Sequence, residues 1–82
     1  MVIIYSTSWC PSCVSAKRLL EAKNVAYEEI NIEEKNMSRQ DLADIAGAST
    51  VPQIIINDNS IGGFDNLLVL DQSGKLDEML KI

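Results

Sequence analysis

Apolar, β-rich runs alternate with segments of helical periodicity along this chain, and that order restricts the folds open to it. Residues 2–5 and 26–32 have the composition of strands, and the first run is apolar enough to be buried. Between them, apolar residues recur at helical spacing from Pro11 to about Lys23. A strand, a helix and a second strand in this order indicate a parallel pair joined by a right-handed crossover.

A second helix is predicted by its ends as much as by its periodicity. Ser38 is a favourable N-cap, and Gly47 is a natural C-cap directly after residue 46. The spacing of Leu42, Ile45 and Ala46 predicts that these three side chains face inward. We therefore expect this helix to pack on one face of the sheet.

The rest of the chain predicts a hairpin and further helices. Taken with the first half, the order is β-α-β-α-β-β-α with a short terminal helix, an α/β arrangement in which helices flank a mixed four-stranded sheet. We expect a single domain over residues 1–82, because this length is below that of a typical domain. The remaining predicted elements are a strand at 53–56, a turn at 57–59, a short strand at 60–61, a helix from Phe64 to about Gly74, and a short helix through Leu76, Met79 and Leu80.

Charge and composition exclude several classes of function. The chain has 12 acidic and 7 basic residues and a net charge of −5, which argues against nucleic acid or an anionic membrane as a partner. It contains no histidine, which excludes Ser-His-Asp and Cys-His catalysis and most zinc sites. No apolar run approaches the roughly 18 residues that a membrane span needs, and the run at the start of the chain is too short for a signal peptide.

The two cysteines, Cys10 and Cys13, are separated by only two residues. A disulfide between them would close almost no loop and would stabilise the fold little, because loop-closure entropy is what a structural disulfide removes. Two cysteines without a histidine or a second pair cannot complete a tetrahedral metal site in one chain. The spacing therefore favours redox chemistry in a reducing compartment, and we expect a cytoplasmic protein with no bound metal.

The position of this pair, after a strand and at the start of a helix, matters more than its spacing. A helix N-terminus offers unpaired N–H groups and a positive dipole end, which lower the pKa of a thiol placed there below the free value of ~8.5. We expect Cys10, at the exposed cap, to be the nucleophile and Cys13, on the buried face, to be the resolving thiol. Pro11 fixes the turn and removes one N–H group. The alternative is a pair of inert cysteines at a helix start.

Two further segments leave more than one interpretation open. Pro52, before an apolar strand, is either an ordinary edge residue or a cis proline that leaves the N–H and C=O of Val51 free to pair with a peptide-like ligand. Gly62 and Gly63 make a small anion site from free N–H groups, or a turn followed by Asp65 as N-cap; the two interpretations are compatible, and the sequence alone favours the second. In the predicted fold these segments and the cysteines converge at one end of the sheet.

Three short motifs follow one another in this chain. They are Cys10-Pro11-Ser12-Cys13 with Val14-Ser15-Ala16-Lys17 after it, Thr50-Val51-Pro52-Gln53, and Ile61-Gly62-Gly63-Phe64-Asp65. Each motif alone is weak, but their order and spacing make the chain similar to the glutaredoxin family of the thioredoxin fold nearly from end to end. The resemblance implies a glutathione-dependent thiol–disulfide oxidoreductase, with glutathione as co-substrate and no tightly bound cofactor.

The resemblance also implies roles for individual residues. Val51, before a cis Pro52, would pair with the cysteinyl backbone of glutathione. The N–H groups of Phe64 and Asp65 would hold its γ-glutamyl carboxylate, and Arg39 would contact its glycine carboxylate. The implied catalytic residues are Cys10, Pro11 and Cys13, and the implied glutathione-binding residues are Thr7, Trp9, Ser12, Arg39, Thr50, Val51, Pro52, Gly63, Phe64 and Asp65.

The chain departs from the family pattern at several positions. Ser12 stands where the family often has tyrosine and Thr7 where a lysine is common, so that cover over the sulfurs and a positive charge are both lost. Asn66 replaces a frequent aspartate, which weakens an amine contact. A tryptophan directly before the first cysteine, as Trp9 is here, resembles the pattern of thioredoxin itself. We expect it to shield the sulfur and pack against the loop. Weaker glutathione binding than in a full-motif member is the expected result.

Two alternatives remain beside a dithiol glutaredoxin. A redoxin reduced by thioredoxin reductase is compatible with Trp9 and with the missing lysine and tyrosine. A carrier of a [2Fe–2S] cluster would need two chains, each supplying Cys10, with two glutathiones as the other ligands; Ser12 leaves room for the cluster, whereas Pro11 stiffens the loop. We otherwise expect a monomer whose partners are glutathione and disulfide-containing proteins, and the family resemblance alone admits ribonucleotide reductase as one of them.

Overall fold

The computed structural model describes residues 1–80, and these form four strands and four helices. The order of the elements is the predicted one. They are β1 (Val2–Ser6), α1 (Pro11–Ala22), β2 (Glu28–Asn31), α2 (Arg39–Ala46), β3 (Gln53–Ile56), β4 (Asn59–Gly62), α3 (Phe64–Gln72) and α4 (Lys75–Leu80). Within these 80 residues, every helix is too short or too polar to cross a membrane.

The four strands form one mixed sheet in the order β2-β1-β3-β4. β1 pairs in parallel with β2, so that Ile3 lies opposite Glu28, and it pairs antiparallel with β3, so that Ile4 lies opposite Ile54. β4 runs antiparallel to β3 and forms an edge of the sheet. Helix α1 connects these two parallel strands, as the strand–helix–strand pattern predicts. The mixed four-stranded sheet flanked by helices is confirmed.

The sheet separates two hydrophobic clusters of unequal size. The larger contains side chains of α1, α3 and α4, and the smaller contains side chains of α2. Neighbouring strand residues point to opposite faces, so Ile4 joins the larger cluster and Tyr5 the smaller. The buried members are Val2, Ile4, Ala16, Leu20, Ile54, Ile56, Leu67 and Leu76 in the larger cluster, and Tyr5, Ile32, Leu42 and Ala46 in the smaller.

The second helix begins and ends as its cap residues predict. The N–H of Asp41 donates to Ser38 Oγ at 3.0 Å, and the N–H of Ser38 donates to Asp41 Oδ2 at 3.0 Å. The two bonds form a capping box, in which each residue satisfies an N–H group that the helix leaves unpaired. At the other end Gly47 has a φ of 85°, a left-handed conformation in which glycine carries no steric penalty.

One prediction about the inner face of α2 is wrong. Leu42 and Ala46 are buried, but Ile45 is 50% exposed. Residues four apart lie one above the other on a helix, so Leu42 and Ala46 form one narrow row against the sheet. A helix of eight residues that contacts the sheet along this row leaves Ile45 at its side.

Two strands differ from the predicted bounds at their ends. β2 spans only Glu28–Asn31, because the chain is still turning after α1 at Asn24, whose φ is 58°. β4 is longer than predicted, because Asn57 and Asp58 alone make the hairpin turn and Asn59 already belongs to the strand. Both turn residues have positive φ, the conformation that two-residue hairpin loops favour.

An ion-pair cluster joins the three helices α1, α3 and α4. Lys23, at the C-terminal end of α1, donates to Asp71 in α3 at 2.7 Å and to Asp77 in α4 at 2.8 Å. Hydrogen bonds to Asp71 and then to Asp77 raise the pKa of Lys23 above its usual value. The cluster lies at the opposite end of α1 from the cysteines, so it orients this helix without entering the site.

Candidate active site

The predicted segments meet in one open cleft with a volume of about 300 Å³. The cleft lies where α1 and α3 begin and where the chain enters β3. Its wall residues are Ser12, Thr50, Val51, Pro52, Gly63, Phe64, Asp65 and Asn66. The convergence that the order of elements predicts is therefore confirmed.

The cysteine pair stands at the start of α1, on either side of the wall residue Ser12. The two sulfurs are bonded to each other, and the Cα atoms of Cys10 and Cys13 are 5.2 Å apart. Cys13 is buried, with 1% of its surface exposed, whereas Cys10 is partly exposed. The sulfur of Cys10 is therefore the one that another molecule can reach.

Cys10 is the N-cap of α1, and its sulfur takes the place that a hydroxyl oxygen often has in such a cap. The N–H of Cys13 donates to Cys10 Sγ at 3.0 Å. Pro11 occupies the first helical position and has no N–H, and the first turn carries no acidic residue. The positive end of the helix is thus not offset by a carboxylate of its own first turn. The sulfur of Cys10 therefore lies where the helix dipole and an N–H group both favour negative charge.

The loop before Cys10 is held by a carboxylate from a distant part of the chain. The N–H of Ser8 donates to Glu33 Oε1 at 2.8 Å, and the side chain of Asn31 donates to Ser8 Oγ at 3.2 Å. Hydrogen bonds from the backbone and then the side chain of Ser8 lower the pKa of Glu33. Trp9 is 87% exposed, so the prediction that it packs against the loop is wrong. Polar bonds, not the indole ring, hold this loop in place.

At the end of β1, the carboxylate of Glu29 joins both strands of the parallel pair to α1. Ser6 is fully buried and donates to Glu29 Oε2 at 2.7 Å, and Lys17 donates to the same oxygen at 2.9 Å. The Ser6 bond and then the Lys17 bond lower the pKa of Glu29. The end of β1, from which the cysteine loop departs, is therefore tied to β2 and to α1.

One wall of the cleft is the segment that leads into β3. The Val51–Pro52 peptide bond is cis, so the second of the two interpretations of Pro52 is confirmed. The N–H and C=O of Val51 make no hydrogen bond with any of residues 1–80. A peptide backbone lying in extended form along this wall could therefore pair with Val51 as an added strand does.

The opposite wall is the start of α3. Its N-cap is Gly63, which makes no side-chain cap, so the interpretation of Asp65 as N-cap is wrong. The first N–H groups of a helix have no partner within the helix, and Phe64 and Asp65 supply two of them at the cleft. A negatively charged group suits this position, because the N–H groups and the helix dipole both favour it.

The turn that precedes α3 requires glycine at one position. Gly62 has a φ of 107°, and a Cβ atom built there would collide with the side-chain amide of Asn66. That amide donates to the C=O of Ile61 at 3.2 Å. Asn66 therefore fills the space over Gly62 and fixes the turn, a structural role that its position in the motif does not predict.

The structure places most, but not all, of the implied binding residues on the cleft. Thr7, Trp9 and Arg39 do not line it. Arg39 lies close by, because its Nη1 donates to the C=O of Ser49 at 2.9 Å, one residue before the wall residue Thr50. A guanidinium carries five N–H donors, so the bond to Ser49 does not use all of those of Arg39.

Two polar residues near the cleft are not among the predicted site residues. Asn66 forms part of the wall, and Gln53 is buried directly behind it, with 2% of its surface exposed. The signal for Gln53 is a polar residue at the start of the apolar run 53–56, where an aliphatic side chain would pack at lower cost.

The chain is similar to known proteins over nearly its whole length. The glutaredoxin family model matches residues 2–61. The chain is 48% identical over 79 residues to a glutaredoxin of Pseudomonas aeruginosa, with 96% of this chain and 94% of the relative covered. It is 42% identical over 80 residues to glutaredoxin 3 of Escherichia coli K12, with coverage of 98% and 96%. It superimposes on the crystal structure of a buckwheat glutaredoxin–glutathione complex with a TM-score of 0.88 and 26% identity, covering 98% of this chain and 76% of that one. The thioredoxin-like fold is thereby confirmed.

Proposed function

This chain belongs to the glutaredoxin family and is a thiol–disulfide oxidoreductase, and we propose that it takes its electrons from glutathione. The observation that carries the proposal is the placement of Cys10. Its sulfur caps α1, accepts the N–H of Cys13 at 3.0 Å, and stands beside a cleft with free backbone groups on both walls. A thiol-bearing peptide can meet all of these groups at once.

Reduction of a target disulfide takes two displacements in this proposal. The Cys10 thiolate attacks one target sulfur, forms a mixed disulfide, and releases the other target sulfur as a thiolate. Cys13 gives up its proton to that thiolate and attacks Cys10 Sγ, which frees the second target sulfur and leaves the Cys10–Cys13 disulfide. Two glutathiones then restore the dithiol and leave as glutathione disulfide, so two electrons pass from glutathione to the target.

The walls of the cleft offer complementary groups for each part of glutathione. The N–H and C=O of Val51 would pair with the cysteinyl backbone, and the N–H groups of Phe64 and Asp65 would hold the γ-glutamyl carboxylate. Arg39, held beside the cleft by its bond to Ser49, would approach the glycine carboxylate. The buckwheat relative is described in complex with glutathione, which supports the same ligand class here.

The same proposal covers the strength of glutathione binding, the oligomeric state and the targets of the chain. We expect weaker glutathione binding than in relatives that have tyrosine at position 12 and lysine at position 7, since Ser12 and Thr7 supply neither a ring nor a charge. We expect a monomer that acts on disulfide-containing proteins in the cytoplasm. An acidic chain with a net charge of −5 would favour targets that are basic around their disulfide.

The test is a comparison of two reductants in one assay. The oxidised protein is offered NADPH with glutathione and glutathione reductase in one series, and NADPH with thioredoxin reductase in the other. The substrate is a mixed disulfide of glutathione and a small thiol, and NADPH consumption is the readout. Turnover only with glutathione supports the proposal, whereas turnover only with thioredoxin reductase would replace it with the redoxin alternative.

Cys13→Ser separates the two displacements in the same assay. The variant retains Cys10, so it should still turn over the small glutathione mixed disulfide, which needs one protein thiol. It should lose reduction of a protein disulfide, because no inner sulfur remains to release the target. Loss of both reactions would show that Cys13 takes part in the first displacement, contrary to the proposal.

A visible absorption band after anaerobic purification of the wild-type protein would indicate the cluster-carrying alternative.

A further inference from the structure

Gln53 is a buried polar side chain for which the mechanism above has no use. It begins β3 directly after the cis peptide bond, and 2% of its surface is exposed. Its Oε1 has no hydrogen-bond partner within residues 1–80. A buried polar atom without a partner is unfavourable, and an aliphatic residue of the same size would avoid that cost. The presence of an amide here therefore calls for a contact that only an amide can make.

That contact is with Thr50 on the wall of the cleft. Gln53 Nε2 donates to Thr50 Oγ1 at 3.1 Å, across the cis bond between Val51 and Pro52. In the reverse orientation both N–H groups of the amide would lack an acceptor, whereas the observed orientation leaves one N–H and the C=O oxygen unpaired. Unpaired buried N–H groups are rarer in proteins than C=O groups that lack a full set of partners. The donating orientation of Gln53 is therefore the favourable one.

The bond determines which way the Thr50 hydroxyl acts. A hydroxyl carries one donor and two lone pairs, and the Gln53 amide occupies a lone pair. Within the part of the chain that the structure describes, the Thr50 hydroxyl donates to no other group. Thr50 lines the cleft and is exposed, so its proton is free to meet an acceptor there.

We propose that Gln53 is a positioning residue that holds Thr50 as a hydrogen-bond donor toward a carboxylate or carbonyl oxygen of the bound peptide thiol. This inference rests on the proposed function, because it takes glutathione as the occupant of the cleft. It adds a recognition element to that function: a hydroxyl whose proton is directed toward the cleft favours a ligand that presents an acceptor oxygen at this point. Gln53 does so without touching the ligand.

The test is Gln53→Met, which keeps the length of the side chain and removes its polar atoms. Without the amide, the Thr50 hydroxyl keeps its proton but rotates among three staggered positions, so the KM for the glutathione mixed disulfide should rise by up to about threefold. The kcat and the rate of Cys10 alkylation should not change. Stability should stay the same or rise, because the unpartnered Oε1 is removed. A merely structural role for Gln53 would lower stability and kcat together.

A double-mutant cycle with Thr50→Val completes the test. If Gln53 acts through the Thr50 hydroxyl, adding Gln53→Met to Thr50→Val should raise KM no further than Thr50→Val alone. Gln72→Met, at an exposed position at the end of α3, is the matched control and should leave KM unchanged. An unchanged KM in Gln53→Met, or additive effects in the double variant, would overturn the inference. Absence of glutathione turnover in the wild-type arm would instead overturn the proposed function itself.

Discussion

The first two helices begin with the same hydrogen bond, made by different atoms. In α1 the N–H of Cys13 donates to the sulfur of Cys10 at 3.0 Å, and in α2 the N–H of Asp41 donates to the hydroxyl of Ser38 at 3.0 Å. Both caps satisfy one of the N–H groups that a helix leaves unpaired at its start. The difference lies in what surrounds the cap, and it separates a reactive helix end from a structural one.

In α2 the positive helix end is offset by the chain around it. Asp41 places a carboxylate in the first turn and closes the capping box by accepting the N–H of Ser38. In α1 the first turn has no acidic residue, and Pro11 removes an N–H group that would otherwise compete for a partner. The dipole of α1 therefore acts on the sulfur of Cys10, whereas that of α2 acts on a carboxylate and contributes only stability.

The carboxylate that supports the α1 end comes from elsewhere in the chain. Glu33 accepts the N–H of Ser8 at 2.8 Å, two residues before the cap. It holds the loop as Asp41 holds the start of α2, but it lies outside the first turn of the helix. The start of α3 is a third case, because Gly63 makes no side-chain cap and its N–H groups stay available to a ligand in the cleft.

Cys10→Ser should have the largest effect, since it turns the first cap into a copy of the second. The serine hydroxyl keeps the bond to the N–H of Cys13, so the free energy of unfolding should stay within about 1 kcal/mol of that of the reduced wild type. Disulfide exchange should fall to the uncatalysed background, because a hydroxyl is not a nucleophile at neutral pH. Turnover by NADPH consumption and denaturant unfolding measure the two effects. Retained turnover would show that Cys10 is not the nucleophile.

Ser38→Ala is the converse change at the second cap. Removing the hydroxyl should lower the free energy of unfolding by roughly 1 kcal/mol, the usual value for an N-cap. The turnover number should not change, because the Ser38 hydroxyl bonds the N–H of Asp41 and lines no part of the cleft. Ser38→Thr keeps a hydroxyl and serves as the control for stability. A lower turnover number at full folding would mean that the Ser38 cap itself, and not only Arg39, affects the site, and the comparison of the two caps would fail.

Ser12→Asp makes the start of α1 resemble that of α2 by adding a carboxylate to its first turn. A negative charge beside the sulfur should raise the pKa of the Cys10 thiol, because it repels the thiolate but not the neutral thiol. The pH dependence of the alkylation rate in the reduced protein measures this change. Ser12→Asn has a similar size without the charge, so an equal change in both variants would contradict the electrostatic explanation.

Glu33→Gln should have the smallest effect, and it appears in the pH dependence of stability. Hydrogen bonds from Ser8 lower the pKa of Glu33 below 4.5, so the folded protein holds the ionised form more strongly than the unfolded chain does. Its contribution is present above about pH 4.5 and is lost as the pH falls through the lowered value. The variant, which keeps an acceptor for Ser8, should show a shallower loss of stability on acidification in denaturant titrations from pH 6 to pH 2. An unchanged slope would assign the acid sensitivity to other carboxylates.

Much of the fold follows from local patterns along the chain. The caps Ser38 and Gly47, the start of α1 at Pro11 and the hairpin turn near Asn57 are all local signals, because each depends on residues within one helical turn or one loop. Ile45 is the instructive error. Its helical spacing suits the inner face. The exposure of its side chain depends on the width of the contact between α2 and the sheet, and a local sequence pattern does not determine that width.

The site likewise has some features that follow from local sequence and others that follow from packing. The order of its motifs and the reactive position of Cys10 at a helix start are determined by the sequence itself, since a strand, a Cys-Pro-x-Cys segment and a helix in succession leave few alternatives. The bond between Ser8 and Glu33, which are 25 residues apart, was decided only in the tertiary structure, and so was the exposure of the Trp9 indole. Helix starts and turns depend on energies within a few residues, whereas these two features depend on how separate elements pack, which one segment alone cannot specify.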